Sequence, residues 1–365
     1  MNLRIPGPTP CPEPVLQAMT RQMVDHRGPE FKEILLRVTD RLKHFFQTQN
    51  DLLILTAAGT GGLEAAIVNF LSPGDRVLAV SIGVFGDRFA KIAETYGADV
   101  RRLRFPDGTA ADPEQVAAAL AEDPNIVAVT VTHNETSTGV TNDIAAIARV
   151  VKGAGKLLLV DAVSSLSAID LPVDALELDV VVSGSQKGWM VPPGLSFISV
   201  SPVAWEANAR ARMPRFYLDL LGAKKSLDRG QTPWTPAVSV FYALDAALEL
   251  MLAEGLPAIV ERHRRVAERT RQGVKALGLK LLADERYASN TVTAVLAPDG
   301  VEVRPLRAAL RERGVVVAGG QGALEGKIFR IGHLGYVSEA DIDQTLAALR
   351  EVLPQVGFRA PAATA

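Results

Sequence analysis

The sequence predicts a three-layer α/β fold, in which helices cover both faces of a mostly parallel sheet. Between residues 51 and 201, apolar runs of strand length alternate with segments of helix length. Several of these runs lack polar alternation, as expected of strands that are buried on both faces. Repeated β–α alternation over this length favours parallel strands joined by covering helices.

The elements of this α/β region follow one another in order. Strands are predicted at 51–56, 76–81, 99–105, 126–133, 156–161, 179–185 and 195–201, and helices at 62–71, 87–97, 112–123 and 142–155. The last of these helices begins with a cap at Asn142 or Asp143 and stops at glycines.

The pattern changes after about residue 238. Two long amphipathic helices, at 239–255 and 257–278, are followed by shorter strand and helix signals that continue to residue 357. This succession predicts a smaller α+β domain with its boundary near Gly255. We therefore expect an N-terminal segment at 1–14, a large domain at 15–255 and a small C-terminal domain at 256–365.

Composition narrows the class of protein. Of 365 residues, 48% are hydrophobic and 22% are charged, which is typical of an ordinary globular protein. The formal charge of −2 offers no basic field for nucleic acid or anionic membranes. No apolar stretch is long enough to span a membrane, and the proline-rich N-terminus is unlike a signal peptide. We expect a cytoplasmic protein whose partner is a small molecule or another subunit.

Cysteine and histidine usage argues against a metal site. Cys11 is the one cysteine, so neither an internal disulfide framework nor a multi-cysteine metal site can form. The five histidines show no H-x-H or H-x-x-x-H spacing. The sequence therefore predicts no bound metal.

Chemically useful residues follow five of the predicted strands. They are the glycine-rich turn at 57–62, Phe85 between glycines, the polar cluster at 133–139, Asp161 and Lys187. Each has an ordinary explanation alone, such as a tight turn or a solvated loop residue. Ligands of doubly wound sheets bind beyond the carboxyl ends of the strands, so together the five features indicate one binding site.

Pyridoxal phosphate is a cofactor that needs all five features. Its aldehyde requires a lysine amine, and its pyridine nitrogen requires a carboxylate that keeps it protonated. Its phosphate suits a helix N-terminus, its ring face suits an aromatic cover, and its 3′-oxygen suits a hydroxyl donor. Lys187, Asp161, the turn at 58–60, Phe85 and Thr136 match these needs in turn. Lys187 follows Asp161 by 26 residues, as neighbouring strands with a short crossover require.

The sequence also resembles the class V aminotransferases of fold type I, within them the alanine–glyoxylate and serine–glyoxylate group. Similar segments span about 330 residues: IPGPTPCPEPVLQAM, DHRGPEF, TAAGTGGLEAA, IGVFGDR, THNETSTGV, LLLVDAVSSL, SGSQKG, PPG, TPWTPAVS and FRIGHLG. The resemblance implies an αβα sandwich with a smaller C-terminal domain, bound pyridoxal phosphate and transfer of an amino group between a small amino acid and a small 2-oxo acid.

The resemblance also implies residue roles at the cofactor. Lys187 would bond the cofactor aldehyde, and Asp161 would pair with the pyridine nitrogen. Thr136 would approach the 3′-oxygen, and Phe85 would lie over the ring. The phosphate would be held by Gln186 together with Ala58, Gly59 and Thr60.

Further implied roles concern the substrate and the partner subunit. Arg330 would clamp the substrate carboxylate, a task suited to its bidentate fork, and the backbone of Gly7 would lie near the substrate. Thr235, with Thr232 or Gln231, would reach the phosphate of the neighbouring subunit. The resemblance thus implies an obligate homodimer with shared active sites.

Two departures from the mammalian-type alanine–glyoxylate enzymes leave the substrate open. Thr60 replaces a histidine, and Phe85 replaces a tryptophan. Alanine, serine or aspartate as donor fits the arginine clamp, as does glyoxylate, pyruvate or oxaloacetate as acceptor. A sulfur-removing lyase would need a nucleophilic cysteine late in the chain, whereas Cys11 lies near the N-terminus. A non-catalytic relative would be expected to lose Lys187 or Asp161.

Overall fold

The computed structural model describes residues 1–358 and builds them around a seven-stranded and a four-stranded sheet. The strands are β1 (Asn2–Arg4), β2 (Asp51–Thr56), β3 (Arg76–Ser81), β4 (Asp99–Arg104), β5 (Ile126–Thr132), β6 (Asn134–Glu135), β7 (Val140–Thr141), β8 (Leu157–Asp161), β9 (Val180–Gly184), β10 (Leu195–Val200), β11 (Val292–Leu296), β12 (Val315–Gly319) and β13 (Ile328–Gly332).

Helices account for most of the remaining chain. They are α1 (Glu13–Ala18), α2 (Pro29–Phe46), α3 (Gly59–Phe70), α4 (Val84–Thr95), α5 (Pro113–Glu122), α6 (Ile144–Gly153), α7 (Pro202–Asn208), α8 (Leu220–Leu227), α9 (Val238–Glu254), α10 (Leu256–Ala276), α11 (Val303–Glu312) and α12 (Glu339–Val352). None of the helices in the described part of the chain combines the length and apolar character needed to cross a bilayer.

The large sheet has the order β2-β10-β9-β8-β5-β3-β4. β10 runs antiparallel to both β9 and β2, and the other neighbours are parallel. The predicted mostly parallel sheet is therefore confirmed. Because β10 reverses the direction twice, β2 again points the same way as β9, and its carboxyl end reaches the same edge.

Alternate residues of the central strands pack into two separate cores. Leu158 and Val160 of β8 face the core that includes α5 and α6, whereas Leu157 and Leu159 face the core that includes α3. Both faces are thus covered by helices, which explains why these strands read as unbroken apolar runs in the sequence. This is the predicted three-layer arrangement.

Most predicted elements agree with the structure to within two residues, but α3 and α4 begin three residues earlier than predicted. Their N-cap positions are Ala58 and Gly83, and neither provides a side-chain cap. The usual Ser, Thr, Asp or Asn signal is therefore missing from the sequence. As a result, Gly59 and Phe85 lie in first helical turns rather than in loops.

Several elements had not been predicted, among them β1 and α2. α2 buries Phe31, Val38 and Leu42 along one face. β1 pairs in parallel with β12, so residues 2–4 form an edge of the small sheet, whose order is β1-β12-β13-β11. The N-terminus is thereby attached to the C-terminal part of the chain.

The domain limits 1–14, 15–255 and 256–365 stay a proposal. Gly255, with a φ of 83°, separates α9 from α10 at the proposed boundary. Residues 359–365 of the last unit lie outside the described residues.

Candidate active site

Asp161 and Lys187 lie at the same edge of the large sheet. Asp161 is the last residue of β8, and its parallel neighbour β9 ends three residues before Lys187. Asp161 is buried, and its Oδ1 accepts a hydrogen bond from the backbone N–H of Val163 at 2.9 Å. The predicted placement of the two residues on neighbouring strands is confirmed.

The amine of Lys187 is held by the N-terminal segment of the chain. Its Nζ donates a 2.6 Å hydrogen bond to the carbonyl of Pro6. Thr9 contacts the lysine loop twice, since its N–H bonds the carbonyl of Gln186 and its Oγ1 bonds the carbonyl of Lys187. A Cβ on Gly7 would lie 2.8 Å from Nζ, so the structure places Gly7 directly against the amine.

Burial changes the ionisation of both groups. The pKa of Lys187 is lowered to about 8, mainly because burial disfavours the ammonium, although nearby Asp161 opposes the change. Burial raises the pKa of Asp161 to about 7, and the charge of Glu135 adds to this rise. With this pKa about a tenth of the lysine is free amine at pH 7, far more than for an ordinary lysine, as a nucleophile or base requires.

The N-terminus of α3 meets the lysine loop at the same edge. A Cβ on Gly184 would lie 3.2 Å from Oε1 of Gln186 and 3.3 Å from Cα of Gly59. A Cβ on Gly59 would lie 2.9 Å from a methyl group of Val163. Ala58 and Thr60 are exposed at this helix start, where backbone N–H groups lack helical acceptors. The structure thus brings the predicted phosphate-binding residues together.

Gln186 carries an unusual polar atom. Its Oε1 is shielded from solvent and has no hydrogen-bond partner within residues 1–358. A buried amide oxygen without a hydrogen bond lowers the stability of the folded chain, so its presence is consistent with a polar ligand at this position.

The loop that follows β5 supplies the polar wall of the site. Thr136 is buried, and its Oγ1 donates to Oγ of Ser164 at 2.9 Å. His133 is buried too; its backbone N–H bonds the carbonyl of Asp161, and burial lowers the pKa of its ring to about 4. A neutral ring that also bonds Oγ of Ser165 indicates a supporting role for His133.

Phe85 lies in the first turn of α4 and is partly exposed. The guanidinium carbon of Arg88 stacks 4.6 Å from the centre of its ring. The charge of Arg88 acts on both Asp161 and Lys187, so this part of α4 faces the same site.

Arg330 reaches the site from β13 of the small sheet. It is buried, and it donates to the carbonyl of Gly319 through Nε at 2.8 Å and to the carbonyl of Thr136 through Nη1 at 3.1 Å. Burial lowers the pKa of this guanidinium to about 10. Within residues 1–358 we find no hydrogen bond from Nη2, which leaves one arm of the fork for a ligand carboxylate.

Within residues 1–358, no hydrogen bond joins Thr232 or Thr235 to Lys187. Oγ1 of Thr232 bonds the carbonyl of Trp234, and the carbonyl of Thr232 accepts from Arg27. Thr235 is exposed. The segment lies beside the carboxyl end of β2, where Ala237 N–H bonds Oγ1 of Thr56.

Sequence reasoning missed several groups of this site. Val163 could have been found from its position two residues after Asp161, and Glu135 from its charge within an otherwise neutral polar run. The carbonyl of Pro6 gives no sequence signal, because any residue has a carbonyl. Within residues 1–358 no cluster of three or more His, Cys, Asp or Glu side chains could hold a metal ion.

Known proteins share this architecture. A family model for class-V aminotransferases matches residues 1–344. The small subunit of a soluble hydrogenase from Synechococcus sp. strain PCC 6716 is 49% identical over 361 residues, which cover 98% of this chain and 94% of the relative. An L-aspartate–glyoxylate aminotransferase from Paracoccus denitrificans is 38% identical and covers 97% of this chain and 91% of its own.

A solved structure extends the likeness to the fold. An alanine–glyoxylate aminotransferase from Nostoc sp. is similar with a TM-score of 0.92 at 35% identity, covering 96% of this chain and 94% of that one. The expected fold type I architecture is confirmed. The chain therefore belongs to the class V aminotransferases, which are transaminases that depend on pyridoxal phosphate.

Proposed function

We propose that this transaminase moves the amino group of a small amino acid, alanine or serine, to a small 2-oxo acid such as glyoxylate or pyruvate. The observation that carries the proposal is that Arg330 of the small sheet lies near Lys187 and Asp161 at the edge of the large sheet, so that an amine, a carboxylate and a cation share a largely buried site. The alanine–glyoxylate enzyme of the same architecture supports this choice of substrates.

The residues present fit pyridoxal phosphate. Lys187 offers its amine to the aldehyde, and Asp161 can pair with the pyridine nitrogen from the neighbouring strand. Oε1 of Gln186, which is buried without a partner within residues 1–358, lies near the start of α3, so a polar group such as the phosphate suits this position. We assign Ala58, Gly59, Thr60 and Gln186 to the phosphate, Phe85 to the ring face and Thr136 to the 3′-oxygen.

When bound, pyridoxal phosphate supplies a conjugated ring that withdraws electrons from the substrate Cα. The chain contributes the proton transfers and the orientation. The amine of Lys187, with its pKa near 8, would take the proton from Cα of the amino donor and, in the second half-reaction, would give a proton to Cα of the acceptor. Asp161 holds a proton on the ring nitrogen, and Arg330 fixes the substrate carboxylate. Gly7 has no side chain and so leaves room for the amine of Lys187, and its backbone would lie near the substrate.

We further propose a cytoplasmic homodimer with shared active sites. Within residues 1–358, Thr232 and Thr235 form no hydrogen bond with Lys187, and they adjoin an aromatic cluster of the exposed Phe216 and Tyr217 with the half-buried Trp234. Phe216 is 76% exposed, which favours coverage by another subunit. In the dimer, Thr235 would reach the phosphate of the partner. The composition argues against nucleic acid and membrane partners.

Aspartate is a second candidate donor, and Arg88 favours it. This arginine lies beside the site, stacks on Phe85 and forms no salt bridge within residues 1–358. A cation there could bind the second carboxylate of aspartate. The L-aspartate–glyoxylate relative points in the same direction.

A matrix of half-reactions tests the proposal. The purified enzyme, loaded with pyridoxal phosphate, is mixed with alanine, serine or aspartate, and the loss of its visible absorption is followed. We expect rapid loss with at least one of the three and recovery on addition of glyoxylate or pyruvate. Lys187→Ala should lack the lysine-bound absorption and transamination. Normal transamination by this variant, or no response to any of the three amino acids, would refute the proposal.

A further inference from the structure

Glu135 is a fully buried carboxylate that has no role in the function proposed above. Both of its oxygens are engaged by donors from two elements. Oε2 accepts from the backbone N–H groups of Phe85 and Gly86, each at 3.1 Å. Oε1 accepts from the backbone N–H of Ser137 at 3.1 Å and from its Oγ at 2.6 Å. The carboxylate thus ties the loop after β5 to the first turn of α4.

This arrangement replaces a missing helix cap. The N-cap of α4 is Gly83, which has no side chain, so the free N–H groups of the first turn need acceptors from elsewhere. Glu135 supplies them for Phe85 and Gly86, and Oγ of Ser137 supplies one for Val84 at 3.0 Å. A Cβ at Gly83 would lie 2.7 Å from Cδ of Glu135. Only a glycine leaves space for the carboxylate here.

Glu135 also adjoins the substrate side of the site. The carbonyl of the next residue, Thr136, accepts the hydrogen bond from Nη1 of Arg330. The negative charge of Glu135 raises the pKa of Arg330 against the effect of burial. Burial in turn raises the pKa of Glu135, whereas its four hydrogen bonds favour the ionised form. One short segment therefore supports both Phe85 and Arg330.

We propose that Glu135 is a positioning residue that fixes Phe85 over the cofactor ring by anchoring the first turn of α4. The inference rests on the proposed role of Phe85 as the ring cover. Replacement of the carboxylate by an amide would turn an N–H group toward other N–H groups and leave at least one donor unpaired. The backbone of Phe85 would then lose its fixed position, although the fold is retained.

Amide hydrogen exchange in the cofactor-free protein tests the anchor directly. In Glu135→Gln, we expect the amides of Phe85 and Gly86 to exchange about tenfold faster or more, since each loses a charge-assisted bond. We also expect a dissociation constant for pyridoxal phosphate raised about tenfold, and an altered visible circular dichroism per bound cofactor. If Glu135→Gln does not fold, Glu135→Asp, which keeps the charge but shortens the reach, is measured in the same way.

Asp112→Ala is the matched control. Asp112 caps α5 by accepting from Glu114 N–H at 2.9 Å, on the other face of the large sheet. Its removal should lower the melting temperature but leave the cofactor dichroism unchanged. Unchanged amide exchange in Glu135→Gln, or cofactor spectra like those of Asp112→Ala, would overturn the inference. A wild-type protein that failed to bind pyridoxal phosphate would instead refute the proposed function, and the exchange result would still decide the anchor.

Discussion

Replacement of Arg330 tests how the site holds its substrate. Arg330→Lys keeps the positive charge but removes Nη2, the guanidinium nitrogen that is free for a ligand, so the substrate carboxylate would lose a charge-assisted hydrogen bond. Such a bond contributes about 1.5–3 kcal/mol, which corresponds to an increase of about 10- to 100-fold in the dissociation constant of the amino acid. Arg330→Ala should weaken binding further, because it also removes the positive charge that attracts the carboxylate.

The assay is a spectroscopic titration of the cofactor-loaded enzyme with the amino acid that reacts fastest. The resting absorption of the variants should match that of the wild type, since the nearest predicted cofactor ligands are intact. Arg271→Lys is the matched control, because Arg271 is also partly buried and bonds a backbone carbonyl, that of Ser289. If Arg330→Lys and Arg330→Ala bind the amino acid as tightly as Arg271→Lys does, Arg330 does not clamp the carboxylate.

Four further outcomes follow from the geometry and the pKa values. Modification of Lys187 by an amine reagent in the cofactor-free protein, located by mass spectrometry, should be half-maximal near pH 8; a value near 10.5 would contradict its burial. Asp161→Asn should bind the cofactor but slow transamination at least about a hundredfold, since an amide cannot keep the ring nitrogen protonated; an unchanged rate would exclude that role. Burial depresses the pKa of His263 to about 3, so the unfolded chain binds a proton there before the folded chain does. The free energy of unfolding, measured with urea, should therefore fall as the pH drops below about 6.5, by up to about 1.4 kcal/mol per pH unit for this group. Equal stability at pH 7 and pH 5 would be the contrary result. Gly7→Ala and Gly74→Ala both place a side chain at positive φ, but only the first meets Lys187, so only Gly7→Ala should weaken cofactor attachment as judged by visible absorption.

The central strands and the closeness of Asp161 to Lys187 could be predicted because both follow from local patterns in the sequence. A strand that is buried on both faces must be a continuous apolar run, and the runs at 51–56 and 76–81 match β2 and β3 residue for residue. The parallel order then sends all carboxyl ends to one edge. A charged residue directly after such a run is therefore a candidate for the site.

The starts of α3 and α4 could not be predicted for a physical reason. Neither helix has a capping side chain of its own, and the N–H groups of α4 instead bond Glu135 from another loop. The helix α2 was missed for a different reason than the starts of α3 and α4. Its apolar residues do recur at helical spacing. They are separated by charged residues on the exposed face, and no continuous run marks the element.

The small sheet completes the site, and this explains why its contribution is hard to see in the sequence. β1 pairs with β12, more than 300 residues later in the chain, and this pairing carries Pro6 and Gly7 onto Lys187. Arg330 comes from β13 of the same sheet, and its bond to Thr136 joins that sheet to the loop after β5. Lys187 and Arg330 are therefore brought together only when the two sheets pack against each other. Formation of the site depends on long-range pairing as much as on the strand ends that predict it.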